Sequence, residues 1–181
     1  MKRKILLFCV AALLVALASA GTYSNSVYTK TSTNVITAGS VDVTLHEKTA
    51  SGEAYPSEPV VIMPGDVVSK RVTVENTGNN PAFLRIKLTP GVNDTSLSAA
   101  DCIHVDINRT DWTLQDGYYY YNKILQPGQT TPVLFTQVTF VGDKVTNEYL
   151  GKMFSLDVAV QAVQSEHNGN EPLEALGWPE D

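Results

Sequence analysis

Cysteine is nearly absent from this 181-residue chain, which holds only Cys9 and Cys102. Cys9 falls inside an apolar N-terminal run, so Cys102 is left without an internal partner and a disulfide framework is excluded. Long apolar runs are equally scarce. The longest, residues 5 to 20, falls short of the roughly 20 residues needed to cross a bilayer, and it follows Lys2, Arg3 and Lys4, which is the order of an export signal. Basic residues are few as well, with 13 Lys and Arg against 19 Asp and Glu. Residues 1 to 24 contain three of the basic residues and no acidic one, so a chain cut after Ser24 keeps 157 residues and a net charge near −9. That acidity opposes nucleic acid or an anionic lipid surface as partner.

Catalytic groupings are missing too. Histidine is confined to His46, His104 and His167. A zinc protease needs two histidines one helical turn apart with a glutamate between them, whereas "LHEKTAS" offers only His46 and Glu47 at the end of an alternating strand. No serine or cysteine sits in a recognisable nucleophile context, and no Gly-rich phosphate loop occurs. The expectation is therefore no catalytic residue, no cofactor and no metal site. The C-terminal "LEALGWPED" carries no LPxTG-type sorting sequence, and "LLFC" lacks the small residue that precedes a lipoprotein cysteine, so no stable membrane anchor is expected. "VNDT" and "INRT" match glycosylation acceptors, but a signal that short carries no weight alone.

What is present is period-two alternation. "SVDVTLH" places Val41, Val43 and Leu45 on one face, and "AFLRIKL" places Ala82, Leu84, Ile86 and Leu88 opposite Arg85 and Lys87, the pattern of half-buried strands. "VVSKRVTVEN", "CIHVDIN", "GYYYYNK", "PVLFTQVTFV" and "MFSLDVAVQAV" continue it, separated by Gly, Pro, Asn and Asp in "MPGD", "NTGNNP" and "QPGQ". Seven or more such strands predict an all-β fold: an antiparallel β-sandwich of jelly-roll or Ig-like type with one or two short helical turns, at "SLSAADC" and "VTNEYLGK". One domain is expected over residues 39 to 165. Residues 166 to 181, with "HNGNEP", read as a mobile tail on which Trp178 is able to dock back. In a strand, Tyr118 and Tyr120 face one way and Tyr119 and Tyr121 the other, so two are expected to be buried and two exposed. With Trp112 they also invite a carbohydrate-binding reading. Cys102 reads as a small buried apolar residue.

"LASAGTYSNS" offers signal peptidase two cuts, after Ala20 or after Ser24, since both are preceded by small residues at the positions that matter. Composition favours Ala20. Residues 25 to 38, "NSVYTKTSTNVITA", carry the strand-forming Val27, Tyr28, Val35 and Ile36 without a strong turn residue before Gly39. They form either a free arm able to add a strand to a neighbour or the first strand of their own domain.

Together "GTYS", "TSTNVITAGSVDVTL", "MPGDVVSKRVTVENTGNNPAFLRIK", "DGYYYYNKILQPGQTTPVLF" and "LDVAVQAVQ" followed by Trp178 resemble the camelysin/TasA family of exported proteins of Gram-positive bacteria. The resemblance covers nearly the whole chain. It implies a dedicated signal peptidase cutting after Ser24, so that Asn25 begins the mature protein. It also implies a secreted sandwich that assembles with copies of itself into fibres of the biofilm matrix, with other matrix or cell-wall components as possible partners. The family's usual aromatic and aspartate after the cut are replaced here by "SNSVYTKT". The name camelysin also implies a metalloprotease, for which the motif is lacking.

Overall fold

A computed structural model describes residues 33–38, 41–56 and 62–179. Ser24, Asn25, Val27 and Tyr28 therefore lie outside the described residues. The alternating segments form ten strands: β1 (Thr33–Ala38), β2 (Val43–Lys48), β3 (Val67–Ser69), β4 (Arg71–Asn76), β5 (Ala82–Val92), β6 (Ile103–Val105), β7 (Trp112–Gln115), β8 (Tyr118–Tyr121), β9 (Gln137–Phe140) and β10 (Phe154–Gln164). Helix among these residues is limited to one 3-10 turn at Asn147–Tyr149. "SLSAADC" forms turns only.

The strands build an all-β sandwich. One layer has the order β1-β10-β5-β8-β7, in which β1 runs parallel to β10 and every other pairing is antiparallel. The facing layer contains the β2-β4 pair and the β3-β9-β6 sheet. Residues 129 to 136 bind them together, since the amide of Thr131 donates to the carbonyl of Val74, Leu134 to Val72 and Lys70 to Thr136.

The alternation decides what lies between the layers. Leu84, Ile86, Val158, Val160 and Ala162 from the first meet Val72, Val74, Leu134, Val138 and Phe140 from the second, all almost fully buried. Each large aliphatic or aromatic side chain so removed from water contributes about 1.5 to 3 kcal/mol. At the β4–β5 corner, buried Asn76 donates its amide to the carbonyls of Asn80 and Leu125 and accepts from the amide of Gly78. This one side chain satisfies the backbone of the polar turn "NTGNNP".

Candidate assembly edge and aromatic face

β1 is the outermost strand of the five-stranded sheet and pairs on one side only among the described residues. Its register runs from Thr33 opposite Val158 to Ala38 opposite Val163, with Val35 opposite Val160 and Ile36 opposite Gln161. β-branched residues dominate it, which suits extended backbone. Val35 and Ile36 nevertheless remain 40% and 43% exposed, because an edge strand has a neighbour on one flank alone. An exposed edge of this kind is a template for a further strand. Within the single chain, then, residues 33 to 38 occupy a place in their own sheet.

The outward face of the same sheet carries an aromatic cluster centred on Arg85. Register sets Arg85 opposite Tyr120 on one side and Gln161 on the other. Its guanidinium lies 3.8 Å from the ring centre of Tyr118 and 4.7 Å from that of Trp178. It donates to the Tyr120 hydroxyl at 2.9 Å and to Gln161 Oε1 at 2.7 Å. Cation–ring contacts of this kind hold the guanidinium, which has no carboxylate partner among the described residues. Residues 165 to 179 return over this face. The Ser165 amide donates to the Pro81 carbonyl, the Asn168 side chain bonds both the carbonyl and the amide of Leu176, and Ala175 and Trp178 pack on Phe83 and Val163. A segment rich in Gly, Asn and Pro is thus tied down by one asparagine and one tryptophan.

The expected division of the four tyrosines is corrected by this packing. Tyr118, Tyr120 and Tyr121 are all buried and Tyr119 is half-buried, because the outward pair is covered by Arg85 and Trp178 while Tyr121 packs on the buried Trp112. No open aromatic platform of the kind that stacks on a sugar ring remains in this stretch.

His46 and Glu47 do not converge. Strand alternation turns His46 outward to Glu75, 2.8 Å away, and Glu47 inward to Lys70, 2.9 Å away. Lys70 is fully buried and lies 5.0 Å from the ring centre of Tyr55. Burial holds its pKa below the ordinary lysine value despite the opposing pull of Glu47. This pair escaped the sequence reading although the signal was present: Lys70 shares the inward parity of Val68 and Val72, and Glu47 that of Val43 and Leu45. Arg85 had no such signal, since its partners come from three distant segments. His104 is exposed on β6 and His167 sits in the returning segment with a φ of 58°. Among the described residues no group of three or more His, Cys, Asp or Glu is placed to hold a metal ion. Cys102 is buried and free, its thiol directed at the carbonyls of Ser98 and Lys144. No protein-family model matches the chain, and no curated protein matches it.

Proposed function

We propose that this chain is a secreted structural protein of the extracellular biofilm matrix, released by cleavage after Ser24 and polymerised by exchange of its first strand between subunits. The observation that carries the reading is the position of β1, a short parallel edge strand with exposed Val35 and Ile36 in a sheet whose other pairings are antiparallel. If β1 leaves its own sheet and enters the same register on a neighbour, every ladder hydrogen bond is remade, so the exchange is nearly neutral per bond and is driven by concentration. Each subunit then offers one strand and one vacated edge along β10. Where the rotation between subunits does not close such a head-to-tail contact into a ring, a fibre follows. The likeness to the camelysin/TasA family supports the same role, and no enzymatic activity forms part of it.

The test traps the strand. Val35→Cys with Val160→Cys places two thiols at directly paired positions. Under oxidation, strand exchange yields ladders of linked subunits on a non-reducing gel and fibres by negative-stain microscopy. A product that is linked only within single chains, from a preparation that forms fibres all the same, overturns exchange of β1. Intact mass of the secreted protein checks the cut: a chain starting at Gly21 rather than Asn25 removes the link to the dedicated peptidase.

A further inference from the structure

The outer face of the β2–β4 pair carries a juxtaposition that strand exchange leaves unused. Register sets Lys48 directly opposite Arg71, and directly opposed side chains start about 5 Å apart. Like charges in that position are destabilising. Both side chains are exposed, and neither forms an ion pair with any described residue. The glutamates on the two strands are engaged elsewhere: Glu47 turns inward to Lys70 and Glu75 is held by His46. The turn after β2 and the segment leading into β9 border a recess of about 400 Å³ around the two cations, lined also by Ser51, Thr73, Thr130 and Val133 and, among the described residues, by no carboxylate.

Two cations and three hydroxyls, with no acid among the described lining residues, form the donor set of an oxyanion site. Arginine presents a planar fork to two oxygens at once, lysine adds a compact charge, and hydroxyls donate to whatever oxygens are left. A carboxylate has two oxygens and is filled by the fork alone, whereas a phosphate group has enough acceptors for the fork, the ammonium and a threonine together. We propose that this recess binds a phosphate group, carried either by inorganic phosphate or by a phosphate ester of an anionic surface polymer. Binding turns the Lys48–Arg71 repulsion into shared attraction to one anion. The site stands independently of fibre formation. If fibres do form, it recurs once per subunit, and a polymer bearing many phosphates engages several copies together.

NMR titration of the mature chain with inorganic phosphate and, separately, with poly(glycerol phosphate) reads the site directly, with uncharged dextran as control. Amide shifts are expected around Ser51, Gly52, Arg71, Thr73 and Thr130. They should weaken at least tenfold in Lys48→Ala and in Arg71→Ala, and less in Arg71→Lys, which keeps the charge and loses the fork. Thermal melting supplies a second readout. Phosphate should raise the Tm of the native chain, while each alanine variant should melt higher than native without phosphate and respond little to it. A response to the polymer at lower phosphate-group concentration assigns the site to the ester, and equal concentrations assign it to the free ion. Shifts that are absent, that spread over the whole surface, or that persist in the Lys48→Ala/Arg71→Ala double variant overturn the proposal.

Discussion

Lys70 has no exposed surface and pairs with Glu47 at 2.9 Å. Removing one member of a buried pair strands the other charge, at a cost of about 3 to 5 kcal/mol. Lys70→Met should therefore destabilise strongly, and Lys70→Met/Glu47→Leu should recover most of the loss, as urea unfolding will register. The pH dependence follows from the direction of the shift. Lys70 binds its proton less tightly folded than unfolded, so its contribution to stability rises as pH climbs from its lowered folded value toward the unfolded value of 10.5. Asp94 shows the opposite sign. Lys152 and Ser96 hold its carboxyl well below the usual carboxylate range, so its contribution is complete above its ordinary value of 3.8 and is lost as pH falls toward the folded one. Asp94→Asn should lower the Tm at neutral pH, and the difference should shrink in acid.

The returning segment and the β4–β5 corner are each sensitive to single residues. Arg85→Ala removes the cation between Tyr118 and Trp178 and should cost about 1 to 2 kcal/mol. Its specific signature is a change in Trp178 fluorescence together with faster proteolysis of residues 165 to 179, with the strands kept intact by circular dichroism. An unaltered cleavage rate would show that Asn168 and the apolar contacts hold the segment without Arg85. Gly78 is needed for closeness and not for an unusual φ: a Cβ there would lie 2.7 Å from the backbone nitrogen of Asp42, whose carbonyl accepts from both Thr77 and Gly78. Gly78→Ala should thus push the start of β2 away and destabilise by about 1 to 3 kcal/mol, measurable in the same urea series.

For the whole molecule, β1 separates two outcomes. A chain starting at Gly39 should stay monomeric in light scattering, and Val35→Asp should slow fibre growth without unfolding the domain. Fibres from the Gly39 chain would rule out β1 as the donor, while loss of the β signal would show that the sandwich requires β1 in its own sheet. Because β1 supplies one edge and Val35, Ile36 and Thr37 on it are exposed, the sandwich is expected to survive its removal.

Fold class was legible from the residues because alternation and burial are the same fact in a sandwich: Val72, Val74, Leu84 and Ile86 face inward at the parity the pattern assigns them. The inward parity of Lys70 and Glu47 was equally readable, but their pairing needed the β2–β4 register. The choice between a free arm and a first strand was not readable, since "NVITA" suits extended backbone in either setting. Only the position of the β10 edge gives residues 33 to 38 a register within the chain. The same holds for Arg85 with Tyr118, Tyr120 and Trp178, and for Lys48 with Arg71. Each residue type is visible in the chain, but their meeting depends on which strands become neighbours. That is set by long-range pairing between segments up to 94 residues apart, over which local pattern carries no information.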